Sequence, residues 1–233
     1  MTNPEIKFEQ KPIELIIFDC DGVLVDSETI SKSVLLALLE KLGVKVSEDY
    51  FHKNFLGYNF EHVTAKVLAD FSVVLTSEFR ENFRCELIKA FASQLKPTLQ
   101  LPWLLPQLNV KTCVATSGSP EKVKNSLHYT ELEDFFAGNV FTSSQVKNGK
   151  PAPDLFLYSA KQMGVSPENC LVIEDSNAGI SAALAADMNV IRYIGGSHMK
   201  NTTNFLHDVT TIKHWKQLLE LFPSLCSSLK IER

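Results

Sequence analysis

The chain has 233 residues, with 23 Lys and Arg against 27 Asp and Glu and a formal net charge of -4, enough material for one α/β domain or for one carrying a smaller inserted domain. Acids and bases are interspersed without a basic stripe, which argues against nucleic acid or an anionic membrane surface as a partner. No apolar run approaches the ~20 residues that cross a bilayer, and the first residues, with Glu5, Lys7 and Glu9, lack the layout of a signal peptide.

Five cysteines, at positions 20, 85, 113, 170 and 226, form no CxxC pair. An odd, scattered set is that of free thiols in a reducing compartment, so a cytoplasmic protein is expected. No feature of the sequence specifies an oligomeric state.

Residues 1 to 12 are polar and end in Lys11-Pro12, a loose lead-in. Leu15-Ile16-Ile17-Phe18 follows, four apolar residues with no polar alternation, which predicts a strand buried on both faces in a parallel sheet covered by helices. Ligands in such sheets bind beyond the strand C-termini, and this strand delivers Asp19-Cys20-Asp21-Gly22. If the chain stays extended, a period of two puts Asp19 and Asp21 on one side and turns Cys20 away. Carboxylates this close repel, so a chain that keeps them together supplies a cation or holds one of them protonated. One can then serve as nucleophile and its neighbour as acid. The plainer reading is a strand end with Asp-Gly turn chemistry and solvated acids.

From Ser27 a helical pattern runs through Ile30, Val34, Leu35, Leu38, Leu39 and Leu42 and stops at Gly43 in the position of a C-terminal cap. The segment from about 47 to 94 keeps that character, with Phe60, Val63, Val67, Leu68 and Phe71 and then Phe79, Phe83, Leu87, Ile88 and Phe91, and reads as wholly helical. After Lys96-Pro97 the pattern changes. Thr112 to Thr116 is short, apolar and β-branched, and Ser117-Gly118-Ser119-Pro120 leads from it into a polar helix. The alternation returns with Val140-Phe141, a helix over 154–163, a strand from Cys170 to Glu174, a helix over 178–186 and a strand from Val190 to Tyr193. A helix around His214 to Leu221, closed by Pro223, ends the chain. Repeated strand and helix predict an α/β fold with a doubly wound parallel sheet. The domains expected are an α/β core of residues 1–26 and 96–233 and an inserted helical cap of residues 27–95, packed over the strand ends as a lid.

Three further sites fall where that fold puts strand ends. Thr116 and Ser117 precede Gly118, where hydroxyls and the amides of a helix N-terminus can bind phosphate oxygens; a plain helix cap would use the same residues. Lys150 stands between Gly149 and Pro151-Ala152-Pro153, in a loop held rigid, although a solvated lysine is its ordinary reading taken singly. Glu174 and Asp175 end an apolar strand, where adjacent acids are unfavourable without a cation, and with Asp19 they offer oxygen ligands suited to magnesium.

Taken together, these residues resemble the four ordered motifs of the haloacid dehalogenase superfamily, in its phosphatase branch with a helical cap after the first motif. They are Asp19-Cys20-Asp21-Gly22-Val23, Thr116 after an apolar strand, Lys150-Pro151-Ala152-Pro153-Asp154, and Glu174-Asp175-Ser176-Asn177-Ala178-Gly179. The resemblance implies a Rossmann-like core and a phosphatase of small phosphomonoesters. Asp19 would be the nucleophile that forms an aspartyl-phosphate. Asp21 would be the general acid and base. Mg2+ would be held by Asp19, the Asp21 carbonyl and Asp175, with Glu174 nearby or reaching it through water. Thr116, the Ser117 and Gly118 amides and Lys150 would hold the phosphoryl oxygens.

The resemblance also marks two departures. Asp187 stands where relatives usually have glycine, and Asp tolerates the left-handed conformation that position needs. Pro97-Thr98-Leu99-Gln100-Leu101-Pro102 replaces a usual Pro-Gly before the second strand, so the hinge side of the cap is expected to differ. Asp21 argues against dehalogenase and phosphonatase chemistry, which lack this second Asp, and leaves Lys53 a surface residue. A β-phosphoglucomutase-type mutase is the main alternative. Its relatives carry a histidine and an aromatic in the first cap helix, where this chain has Thr29-Ile30-Ser31-Lys32-Ser33, so hydrolysis is favoured. A catalytically silent binding module is the remaining one. Substrates expected are sugar or sugar-acid phosphates such as 6-phosphogluconate, with Glu28, Gly57, Asn59 and Arg84 on the cap side nearest the leaving group.

Overall fold

The computed structural model describes residues 12–55, 60–136, 138–201 and 205–226. In chain order its first elements are strand β1 (Leu15–Phe18) and helices α1 (Glu28–Lys41), α2 (Glu48–Asn54), α3 (Phe60–Phe71), α4 (Ser77–Gln94) and α5 (Leu101–Leu104). Then come β2 (Lys111–Thr116), α6 (Pro120–Tyr129), α7 (Glu133–Phe136), β3 (Val140–Thr142), α8 (Asp154–Met163) and β4 (Cys170–Glu174). The chain closes with α9 (Asn177–Ala185), β5 (Asn189–Tyr193), β6 (Thr211–Ile212) and α10 (Trp215–Leu221). Two compact units result: one joins the chain up to Asp26 to the chain from Lys96 onward, and the other is Ser27–Leu95. Among the described residues no helix is long and apolar enough to cross a membrane.

The α/β unit is a six-stranded sheet in the order β3-β2-β1-β4-β5-β6, with every pairing parallel. β1 is central, with Leu15 opposite both Lys111 and Cys170. Its four side chains divide by the period of two. Leu15 and Ile17 join the cluster with Leu155, Phe156, Ile180 and Ala183 from α8 and α9, whereas Phe18 meets Phe136 of α7 and Trp215 of α10 edge to face, each at 6.1 Å. Burial on both faces explains why β1 has no polar alternation, and each such side chain stabilises the fold by about 1.5–3 kcal/mol. Because all strands run the same way, their C-terminal ends lie along one edge, where this class of sheet binds ligands.

The helical unit has its own core of Leu35, Leu39, Val44, Phe51, Phe55, Val63, Val67 and Leu75. Gly43 ends α1 at φ +79°, a left-handed cap that satisfies the Glu40 carbonyl at 2.9 Å. Ser47 and Thr76 cap α2 and α4 by accepting from the Tyr50 and Phe79 amides, each at 3.2 Å. The segment read as wholly helical is therefore three helices, with Ser72 at φ +56° just past the end of α3. Asp187 takes the left-handed conformation, φ +55°, after α9. The four-residue α5 and α7 and the two-residue β6 have no counterpart among the elements read from the sequence.

Candidate active site

Asp19 continues β1 by one hydrogen bond, its amide donating to the Ile173 carbonyl at 3.0 Å. A tight turn follows, in which the Gly22 amide donates to the Val25 carbonyl at 2.8 Å and the Leu24 and Val25 amides to the Cys20 carbonyl at 3.0 and 3.1 Å. Gly22 sits at φ +81°, where a residue with a Cβ is strained. Thr98 buttresses this turn from the unusual Pro97–Pro102 stretch. Its hydroxyl donates to the Val23 carbonyl at 2.7 Å and accepts from the Trp215 indole at 3.2 Å, and its amide donates to the Leu24 carbonyl at 2.9 Å.

Lys150 is the hub of the site. Its ammonium donates to Asp19 Oδ1 at 2.6 Å, to Glu174 Oε1 at 2.7 Å and to the Ala115 carbonyl at 2.9 Å, which satisfies all three of its protons. The side chain is only 4% exposed, so the solvated lysine is replaced by a buried one. Burial alone would lower this ammonium, but Asp19 and Glu174 outweigh burial and hold it above the ordinary lysine range. Burial pushes the Asp19 carboxyl well up, Lys150 opposes this, and the charges of Glu174 and Asp175 add to the rise.

Glu174 is fixed from its other oxygen, which accepts from the Ser176 amide at 2.8 Å and hydroxyl at 2.9 Å at the start of α9. Asp175 Oδ2 is paired with His198 Nε2 at 2.8 Å. Burial raises the Asp175 carboxyl, the His198 hydrogen bond opposes the rise, and the Glu174 charge adds to it. Asp19, Glu174 and Asp175 each offer an oxygen, and these atoms lie within 4.8 Å of one another. An all-carboxylate donor set with two of its members held above their ordinary pKa by burial and like charge fits a hard divalent cation.

The second acid is held separately. Asp21 Oδ2 accepts from Lys122 Nζ of α6 at 2.8 Å. Thr116, buried at the end of β2, accepts from the Gly118 amide at 3.0 Å, so that hydroxyl and amide form one unit rather than two separate donors. Accepting there leaves the hydroxyl its own proton to donate elsewhere. A Cβ built on Gly118 would lie 3.3 Å from Thr116 Oγ1 and 3.6 Å from Asp21 Oδ2, which puts the first and second motifs side by side. Ser117 is exposed and its carbonyl accepts from Ser143 Oγ at 3.3 Å.

Of the remaining residues singled out, Glu28 opens α1 half-buried and Arg84 lies in α4, 48% exposed and 4.0 Å from Glu81. Gly57 and Asn59 lie outside the described residues. Lys53 is exposed in α2. Two residues were missed, Lys122 and His198. The signal for Lys122 was its place in the first turns of the helix after Pro120. For His198 it was Gly195-Gly196-Ser197-His198 following the fifth strand, since a glycine pair at a parallel strand's C-terminal end marks close backbone approach.

Comparison with known proteins places the chain in a family. A family model described as haloacid dehalogenase-like hydrolase matches residues 13–187. The chain is 30% identical over 211 residues to 6-phosphogluconate phosphatase of Escherichia coli, covering 90% of this chain and 95% of that protein. It is 30% identical over 194 residues to a phosphorylated carbohydrates phosphatase of Thermotoga maritima, covering 81% and 88%. A solved structure of a conserved haloacid dehalogenase-like protein from Agrobacterium tumefaciens superposes with a TM-score of 0.79 at 30% identity, over 91% of this chain and 98% of that one.

Proposed function

Since this chain belongs to the haloacid dehalogenase-like hydrolase family and is a phosphoric monoester hydrolase, we propose that it hydrolyses small phosphorylated sugars or sugar acids, 6-phosphogluconate among them, in the cytoplasm and with Mg2+. The observation that carries the reading is the Asp19 carboxylate at the end of β1, buried and ringed by Lys150, Glu174 and Asp175. The relatives' names support the substrate class.

In this reading Asp19 attacks phosphorus and takes the phosphoryl group as an acyl phosphate, while the alcohol leaves. Asp21 protonates the departing oxygen, then takes a proton from the water that attacks the intermediate, so the acid of the first step is the base of the second. Thr116, oriented by the Gly118 amide and keeping its own proton to donate, and the Ser117 amide in the same turn hold the oxygens on which charge redistributes. Lys150, its protons given to Asp19, Glu174 and the Ala115 carbonyl, supplies positive charge beside them, and the Gly118 amide acts through Thr116. Asp19, the Asp21 carbonyl and Asp175 would hold Mg2+, with Glu174 close by; the ion supplies charge that offsets repulsion between carboxylate and phosphate. The division into a core domain of residues 1–26 and 96–233 and an inserted cap of residues 27–95 is part of the proposal, with Glu28, Gly57, Asn59 and Arg84 as its substrate-side candidates.

The test is a panel of sugar phosphates, including 6-phosphogluconate and both glucose phosphates, followed for free phosphate and for isomer interconversion with and without Mg2+. Phosphate release that needs Mg2+ and falls by ~10⁴-fold or more in Asp19→Asn is the expected result. Interconversion of β-glucose 1-phosphate and glucose 6-phosphate with little phosphate released would replace the hydrolase by a mutase.

A further inference from the structure

The loop after β5 returns to the site, and three observations fix it there. Ser197 donates to Asp26 Oδ1 from both its amide, at 3.1 Å, and its hydroxyl, at 2.7 Å. His198 then reaches Asp175 Oδ2 at 2.8 Å, with the two side chains only 8% and 9% exposed. The imidazole lies in a slot that two glycines keep open. A Cβ built at Gly22 would come within 2.7 Å of His198 Cε1 and overlap the Asp175 carboxylate, and one at Gly196 would come within 2.8 Å of His198 Cε1 and 2.9 Å of its Nδ1. No side chain at either glycine fits while the His198–Asp175 pair stands where it does.

From this geometry we propose that His198 is a positioning residue for the cation. It holds one oxygen of Asp175 so that the carboxylate keeps the rotamer in which it can bind metal beside Asp19 and Glu174. The hydrogen bond runs from Nε2, and both the neutral Nε2–H tautomer and the imidazolium can donate it, so the role requires no change of protonation. Partners behind a metal ligand act this way elsewhere, and their loss typically weakens metal affinity by ~10–100-fold. The inference rests on the reading that Asp175 binds Mg2+.

The experiment measures Mg2+ binding without substrate, by calorimetry and by the Mg2+ concentration that gives half the rise in melting temperature. His198→Gln can place an amide N–H near the position of Nε2, whereas His198→Asn is too short to do so. The expected result is a Mg2+ affinity within about threefold of wild type for His198→Gln and about 10–100-fold weaker for His198→Asn and His198→Leu. Variants that lower the melting temperature but bind Mg2+ with wild-type affinity would reduce His198 to a packing residue and overturn the proposal. A wild-type protein that shows no Mg2+ response would instead overturn the metal reading beneath it. Should His198→Leu fail to fold, the contrast between the two amides decides alone.

Discussion

Lys150 Nζ lies 2.7 Å from Glu174 Oε1 in the α/β unit, and Lys89 Nζ lies 2.7 Å from Glu86 Oε1 in the helical unit. The first pair has side chains 4% and 1% exposed, the second 71% and 42%. Equal geometry hides opposite energetics. In water the attraction is weak and screened, and many such pairs contribute nothing measurable. Out of water the attraction is strong, but so is the penalty for dehydrating both ions, and the pair is a poor way to stabilise a fold. The raised Asp19 and Asp175 carboxyls say the same thing: each disfavours the fold once pH exceeds the ordinary carboxylate range, where the unfolded chain ionises freely. Lys89–Glu86 stays wet on its helix, whereas Lys150 with Asp19 and Glu174 is dried at the sheet edge where this class of fold binds ligands.

Lys150→Met is the strongest way to break this contrast. It leaves Asp19 and Glu174 buried without their cation, so urea unfolding should show a loss of about 3–5 kcal/mol, with no turnover. The double variant with Glu174→Gln should recover part of that stability and none of the activity. A loss below about 1 kcal/mol would mean that the site is effectively solvated. Lys122→Met sharpens the middle of the scale, because the Lys122–Asp21 pair is 26% and 19% exposed. Stability should fall by less than about 1 kcal/mol. Turnover should fall roughly tenfold, short of the ~10²–10⁴ attached to a whole acid-base group, and Lys122→Arg should restore most of it.

At the weak end stands the Tyr50, Asp70 and Lys66 cluster, where Asp70 Oδ2 accepts from the tyrosine hydroxyl and from Lys66 Nζ at 2.8 Å. Hydrogen bonds from Lys66 and then Tyr50 lower the Asp70 carboxyl, so its contribution is present above the usual carboxylate value of ~4 and is lost as pH falls through the lowered one. Burial and then the bond to Asp70 push Tyr50 from 10.0 up to about 12, so its contribution is present below the ordinary value and lost as pH rises through the shifted one. The difference in melting temperature between wild type and Asp70→Asn should therefore be small, flat between about pH 5 and 9, and absent in acid. A difference that grows in acid would contradict the assignment.

What the sequence made legible was local. Four apolar residues in a row marked β1, a glycine after a helical stripe marked the end of α1, and the tolerance of aspartate for the left-handed region accounted for Asp187. Asp19, Thr116, Lys150 and Glu174 stood out because each follows or flanks a strand end. The two-residue β6 and the four-residue α5 and α7 are too short to display a period, and packing rather than pattern makes them. Lys122 and His198 escaped notice for another reason. Their partners Asp21 and Asp175 are supplied by other strands of the sheet, and only the fold makes them neighbours.

The backbone around Asp26 has one more consequence. The Asp26 amide donates to the Lys96 carbonyl at 3.0 Å, Val25 bridges Pro97, and the Thr98 amide donates to the Leu24 carbonyl at 2.9 Å. The point where the chain leaves the α/β unit is thus stitched to the point where it comes back. An insertion whose ends are clasped in this way stretches nothing in its host, and lengthening it adds little closure entropy. Evolution or a protein engineer can therefore cut at that clasp, splice in a foreign segment whose termini lie equally close, and leave the sheet with the carboxylates at its edge as they were.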